Sequence, residues 1–223
     1  MPELAKPLHG KAGTGPLSTM VKLERPKKLI SRNLIEGRIC HDWLQTLSLI
    51  LHEKDKDCGL YTHDRTYPTY HAIAELLNPH SILEIGVRFG YSLASLACGA
   101  GPGVKVFGID PEQYEKDSNA RASASLKLLG VEAQLFLGDS KNFDVTGCTG
   151  QTSFGLIHID GDHTTEGALQ DLQRYASFSD RLLVDDVLDS RVWAAIQAFT
   201  SLQRKPISVT YFDTATGLIL IEL

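Results

Sequence analysis

From Ser81 onward, short runs rich in leucine and β-branched residues alternate with longer stretches whose apolar side chains recur at helical spacing. This alternation constrains the fold more than any other feature of the chain. Strands joined by helical crossovers lie parallel, and a parallel sheet needs helices to cover both of its faces. The strand segments are SILEIG (81–86), VKVFGID (104–110), AQLFLG (133–138), FGLIHID (154–160) and RLLVDDV (181–187). Helices are predicted near 90–98, 117–129, 165–176 and 190–202, with Gly130 placed to stop the second of them. The tail differs, because ISVTYF and LILIEL are separated only by the turn-rich DTATG, which suits an antiparallel hairpin.

Before Ser81 the pattern is different. Residues 1–28 are rich in Pro, Gly and Lys and have no clear period, Leu34 to Leu51 carry apolar residues at helical spacing, and YPTYHAIAELLNP reads as a helix from near Pro68 that stops before Asn78-Pro79. At 223 residues the chain holds one sizeable core, so residues 1–66 are expected to form an arm and helix, serving as a substrate lid or dimer contact, and residues 67–223 the main domain.

Charge and cysteine usage narrow the classes of partner. Residues 1–40 hold eight Lys/Arg against three Glu, yet the whole chain has a formal net charge of −5, which gives no basic footprint for nucleic acid. No apolar run is long enough to span a membrane, and the opening segment lacks the apolar core of a signal peptide. The four cysteines, Cys40, Cys58, Cys98 and Cys148, show no C-x-x-C spacing, so reduced thiols and a cytoplasmic location are expected. The expected partner is a small-molecule substrate, with neither nucleic acid nor membrane; a homodimer is left open.

Glu84-Ile85-Gly86-Val87-Arg88-Phe89-Gly90-Tyr91-Ser92 ends the first strand and opens a helix. Glycines there let the backbone approach a ligand, and the exposed N–H groups of a helix start bind anions. Asp110 ends the next strand, where an acid accepts hydrogen bonds from both ribose hydroxyls. Arg88 stands where a dinucleotide-binding G-x-G-x-x-G turn has its middle glycine, and no P-loop Lys-Ser/Thr pair follows, so a nucleoside without a pyrophosphate is the expected ligand. The same departure disfavours a nicotinamide-dependent dehydrogenase. A tight strand-to-helix turn with no ligand is the plain alternative.

With Glu84-Ile85-Gly86 and Gly90-Tyr91-Ser92 at this spacing, the sequence resembles the class I S-adenosylmethionine-dependent methyltransferases, and within them the catechol O-methyltransferase-like branch. The resemblance covers about residues 67–223 and implies a Rossmann-like, seven-stranded, mostly parallel α/β sheet with helices on both faces, a C-terminal antiparallel hairpin and a helical N-terminal extension. It further implies S-adenosylmethionine as cofactor, with Glu84 and Gly86 lining its methionine part, Ser92 bonding nearby, Asp110 on the ribose and Asp139 of GDS beside the adenine. Gly90 and Asp160 are counted with the cofactor-binding residues. The family's Pro-Gly-Gly turn before strand five is missing from FSDRLLVDD, which puts the neighbouring cofactor contacts in question.

Strands four and five end in Asp160 and in Asp185-Asp186. In a parallel sheet both ends open on the crevice that holds the glycine turn. Three crowded carboxylates repel unless a cation sits among them, and an all-oxygen donor set suits Mg²⁺. A metal ion acidifies and orients a hydroxyl that is to be methylated, and a base must still take its proton. His163, three residues after Asp160, suits that role at neutral pH. The resemblance implies the same assignment, with Asp160, Asp185 and Asp186 as metal ligands and His163 as base. It is closest to the sugar O-methyltransferases that modify macrolide-type natural products.

Each of these residues also has a plainer reading. Asp162 or Thr164 caps the helix beginning near Thr165, His163 is a solvated loop residue, and Asp185-Asp186 is a charged strand end facing water. His158, alternating within a buried strand, reads as a satisfied core histidine, and Trp43, Trp193 and Tyr211 as packing residues. The leading expectation is an Mg²⁺-dependent O-methyltransferase acting on a catechol-like or sugar hydroxyl. The alternatives are a metal-independent N- or O-methyltransferase with His163 or Asp162 as base, and a non-catalytic domain of the same fold.

Overall fold

The computed structural model describes residues 66–113, 116–204 and 206–223. The predicted helix over 34–51, the arm before it, Trp43, Cys40 and Cys58 lie outside the described residues. Helix α1 (Thr66–Leu77) leads into β1 (Ser81–Ile85), α2 (Tyr91–Ala100), β2 (Lys105–Asp110), α3 (Ser118–Leu128), β3 (Ala133–Leu137) and α4 (Val145–Thr149). Then follow β4 (Leu156–Ile159), α5 (Thr165–Tyr175), β5 (Arg181–Val184), α6 (Ser190–Leu202), β6 (Ser208–Phe212) and β7 (Leu218–Glu222). Every expected strand is present, and the tail forms the expected hairpin. The short helix α4 was not foreseen.

The seven strands run in the order β3-β2-β1-β4-β5-β7-β6, parallel from β3 through β5, with β7 antiparallel to both β5 and β6. The order in which strands are added therefore reverses between β1 and β4. Two adjacent strands there send their connections to opposite sides and leave a crevice at their carboxyl ends, the place where ligands bind in such sheets.

Alternate side chains of the strands face two apolar layers. Ile82, Leu156 and Leu183 pack with Tyr70, Ile73, Leu93 and Leu96 under α1 and α2. Leu83, Ile85, Ile157, Ile159 and Val184 pack with Leu172, Tyr175, Ile196 and Phe199 under α5 and α6. Trp193 and Tyr211 border this second layer, as expected of packing residues. Glu84 lies opposite His158 in the β1/β4 register and shares the parity of Ile82, so both polar side chains point toward the α1/α2 layer. The last paired residues, Ile85 with Ile159 and Ile159 with Val184, bring Asp160 and Asp185 level at the exit of the sheet.

Candidate active site

The turn after β1 is shaped by close backbone contact. Gly86 has φ 87, and a Cβ placed on it would lie 2.1 Å from the carbonyl oxygen of Asp160, so the turn and the loop after β4 pack against each other without room for a side chain. Gly86 N–H donates to the Ile109 carbonyl, which ties the turn to β2. Arg88 adopts the left-handed conformation (φ 47), and its N–H donates to Asp110 Oδ2 at 2.8 Å. The Glu112 N–H holds Asp110 Oδ1 at 2.6 Å, so this carboxylate is fixed at the mouth of the turn. Gly90, also left-handed, faces α3, where a Cβ would come within 3.0 Å of Ala122.

Beneath the turn, Glu84 is fully buried. Its Oε1 accepts the Ser92 hydroxyl at 2.5 Å and meets His158 Nδ1 at 2.7 Å, while Oε2 has no partner among the described residues. His158 is equally buried, and its Nε2 also lacks a partner among the described residues. The plain reading of His158 as a satisfied core residue therefore holds for only one of its two nitrogens. Burial pulls its pKa down, but the hydrogen bond and charge of Glu84, aided by Asp160 and Asp185, raise it overall.

Asp160, Asp185, Asp186 and His163 converge at the crevice. His163 Nε2 lies 3.4 Å from Asp160 Oδ1 and 3.2 Å from Asp186 Oδ2, with its side chain 40% exposed. Two overlapping sets of donor atoms, His158/Asp160/Asp185 and Asp160/His163/Asp186, each fall within 4.8 Å of one another. The electrostatics record the crowding. Burial, together with the charges of Asp185 and Asp186 and against the bond from His163, pushes Asp160 up to about 7. Burial and Asp185 likewise raise Asp186, and the hydrogen bond to Asp160, opposed by partial burial, pushes His163 up to about 9. Each set joins two mutually repelling, only partly compensated carboxylates to a histidine, and such a donor set fits a divalent cation.

Asp185 is held by groups from distant parts of the chain. Tyr70 of α1 donates its hydroxyl to Oδ2 at 2.5 Å, and Thr216 of the β6–β7 hairpin donates to Oδ1 at 2.6 Å. The Asp186 N–H adds a bond to Oδ1 at 2.7 Å, with Asp186 itself left-handed at φ 55. A non-glycine residue in this conformation costs about 1–2 kcal/mol, and that bond helps to offset it.

Asp162 stands apart from the cluster in its bonding. Lys141 Nζ grips its Oδ2 at 2.7 Å, its Oδ1 takes the Thr164 N–H, and despite some burial these bonds bring its pKa down to about 2. Thr164 provides the side-chain cap of α5, accepting the Gly167 N–H. Asp139 sits exposed at the end of β3, where its Oδ1 accepts the Lys141 N–H. The Ser140 that follows is clamped to α5, its hydroxyl donating to buried Asp171 and its carbonyl accepting the Tyr175 hydroxyl. Tyr70, Thr216, Lys141, Asp171 and Tyr175 were not foreseen from sequence. A cavity of about 960 Å³ lies at the other end of the sheet, beside Lys105, Ala133 and Gly101, away from these acids.

Residues 83–187 match a family described as a methyltransferase domain. No curated protein sequence matches the chain. Among solved structures, the chain is similar to an O-methyltransferase from Bacillus cereus in complex with S-adenosylhomocysteine, at 16% identity over 80% of this chain and 90% of that one, with a TM-score of 0.63. It is also similar to an O-methyltransferase from Streptomyces achromogenes involved in tomaymycin synthesis, in complex with S-adenosylmethionine (20% identity, 70% of this chain and 78% of that one, TM-score 0.56). A third is an S-adenosylhomocysteine-bound methyltransferase from Podospora anserina (19% identity, 86% and 88%, TM-score 0.54). At these identities the likeness carries the fold.

Proposed function

We propose that this chain, whose residues 83–187 match a methyltransferase domain family, is an S-adenosylmethionine-dependent methyltransferase that methylates a hydroxyl of a small molecule with the help of a divalent cation. The observation that carries this reading is the convergence of Asp160, Asp185, Asp186 and His163 at the switch point, directly beside the Gly86 turn. S-adenosylmethionine supplies an electrophilic methyl group, and Mg²⁺ or another divalent cation held by Asp160, Asp185 and Asp186 would make a neighbouring hydroxyl acidic.

The chain's own residues do the rest. Asp110, with each oxygen already fixed by a backbone N–H, offers a rigid acceptor to the two ribose hydroxyls. Asp139 stands on the adenine side, while Glu84, Gly86 and Ser92 shape the methionine end and Gly90 sets the start of α2. His163, partly exposed at the mouth of the crevice and oriented by Asp160 and Asp186, would take the proton from the acceptor hydroxyl with those carboxylates neutralised by the cation, since their bonds and charges otherwise push it up to about 9 and keep it protonated at neutral pH. Asp162 is a poor base, because Lys141 holds it ionised far below neutral pH. Of the metal-independent alternatives, the one using Asp162 loses support, and the one using His163 requires alkaline pH, because Asp160 and Asp186 push its pKa up to about 9.

The acceptor class is a catechol-like or sugar hydroxyl of a natural product, in keeping with the described role of the Streptomyces relative in tomaymycin synthesis. Residues 1–66 serve as the lid over the acceptor or as a dimer contact, and free Cys98 and Cys148 suit a cytoplasmic enzyme. The test is transfer of labelled methyl from S-adenosylmethionine to a panel of catechols and polyhydroxylated sugars, with EDTA and then with Mg²⁺ restored. Loss and recovery of transfer support the reading. Transfer that ignores chelation removes the cation from it, and transfer only to amines removes the hydroxyl.

A further inference from the structure

The buried pair Glu84–His158 has a geometry that the oxygen-only reading of the acidic cluster leaves unused. His158 sits on β4 two residues before Asp160, so both side chains leave the same face of the strand. One ring nitrogen of His158 lies within 4.8 Å of carboxylate oxygens of both Asp160 and Asp185. Nδ1 is engaged by Glu84 at 2.7 Å, and Glu84 is itself held by the Ser92 hydroxyl. Nε2 is enclosed and has no partner among the described residues.

A fully buried imidazole nitrogen with no partner costs about 1–3 kcal/mol unless something meets it. With Nδ1–H donating to Glu84, Nε2 of the neutral ring presents a lone pair, whose missing partner is a donor or a cation, and an ionised carboxylate is neither. A metal-ligating histidine characteristically commits its other nitrogen to a carboxylate, which fixes the ring and increases its basicity. Glu84 supplies that carboxylate. The Tyr70 ring closes over the imidazole edge at 4.9 Å and donates to Asp185 Oδ2, which keeps a lone pair for a further contact. Ligands about 2.0–2.2 Å from a common ion lie roughly 3–4.3 Å apart, so the set needs only a small contraction to close around a cation. His163 is a weaker candidate for this task, since its side chain is 40% exposed and its place at the mouth suits a proton acceptor.

We infer that His158 is a nitrogen ligand of the cation held by the acidic cluster, and that the site prefers a borderline transition ion such as Co²⁺ to Mg²⁺. Imidazole favours later first-row ions, whereas Mg²⁺ favours oxygen donors alone. This inference rests on the cation-assisted reading of the site and sharpens it.

The test uses the full chain, stripped of metal and free of S-adenosylmethionine, loaded with Mn²⁺ and examined by pulsed electron paramagnetic resonance for coupling to ¹⁴N. Wild type, His158→Gln and His163→Gln are compared, with titration calorimetry for Co²⁺, Mn²⁺ and Mg²⁺. Coupling is expected in wild type and in His163→Gln and lost in His158→Gln. Co²⁺ affinity is expected to exceed that for Mg²⁺ in wild type and to fall about 10–100-fold in His158→Gln. Because His158→Gln alters a buried site, its unfolding transition is measured alongside; should it fail to fold, coupling retained in His163→Gln still assigns the nitrogen away from His163. Coupling that survives in a folded His158→Gln protein, or that vanishes in His163→Gln, overturns the inference alone. Absence of any bound Mn²⁺ in wild type overturns the cation reading with it.

Discussion

Replacing Tyr70 with Phe isolates one bond at the base of the site. The Tyr70 side chain is fully buried, and its hydroxyl donates to Asp185 Oδ2 at 2.5 Å. Burial and the neighbouring Asp185 charge hold its pKa well above the ordinary tyrosine value, so the hydroxyl remains a donor throughout the useful pH range. The Phe ring keeps the edge contact with His158, so the change removes a hydrogen bond and opens no cavity of consequence. A hydrogen bond to a charged group contributes about 1.5–3 kcal/mol. Asp185 is only partly buried, so water recovers some of the loss, and a destabilisation of about 1.5–2 kcal/mol is expected. For a chain of this size that corresponds to a fall in Tm of roughly 3–8 °C. Urea unfolding of the single variant and of the same change in an Asp185→Ala background, which leaves the hydroxyl no acceptor at that position, completes the cycle; in the second background the cost should drop below about 0.5 kcal/mol. An equal loss in both backgrounds, or a loss under about 0.5 kcal/mol in the first, refutes the account of Tyr70 as the partner that holds Asp185.

Further outcomes follow from other parts of the site. Gly86→Ala forces a Cβ to 2.1 Å from the Asp160 carbonyl at a left-handed φ, so it should lower stability by at least about 1–2 kcal/mol and weaken S-adenosylhomocysteine binding, read by denaturation and calorimetry. His163→Gln should reduce methyl transfer by about 10²–10⁴ while leaving S-adenosylhomocysteine affinity within a few-fold, and unchanged turnover would rule out a base role. Burial, partly countered by Ser140 and Lys141, pushes the Asp171 carboxyl up to about 6 from 3.8. The native chain therefore binds this proton more tightly than the unfolded chain, and stability falls as pH rises from about 4 to about 6, by up to about 3 kcal/mol. Asp171→Asn should flatten that slope; denaturation at pH 5 and pH 7 checks it, and an unchanged slope contradicts the assignment.

The strands were legible because a buried parallel strand must be apolar almost throughout, and the acids were legible because they follow directly on those runs. SILEIG, FGLIHID and RLLVDDV each announce both the strand and the residue at its exit. The structure trims their ends, with β4 at Leu156–Ile159 and β5 at Arg181–Val184. Helix α4 escaped notice because VTGCT contains a glycine and β-branched residues, and its only signal is the Asp144 side chain capping the Gly147 N–H. The groups that hold the acids were not legible, since Tyr70 lies 115 residues from Asp185, Thr216 lies 31 from it, and Lys141 lies 21 from Asp162. No local pattern encodes such pairings; they exist only once the sheet order has placed α1 and the terminal hairpin over the ends of β4 and β5. His158 shows the converse, for its strand position was read correctly while the missing partner of its Nε2 could be seen only in three dimensions.

The most direct measurement is a crystal structure of the chain with S-adenosylhomocysteine and Mn²⁺, recorded with anomalous scattering. The account predicts the nucleoside against the turn after β1, its ribose hydroxyls on Asp110, and an anomalous peak among Asp160, Asp185 and Asp186. A nucleoside bound elsewhere, or Mn²⁺ missing from that cluster at saturating concentration, would contradict it.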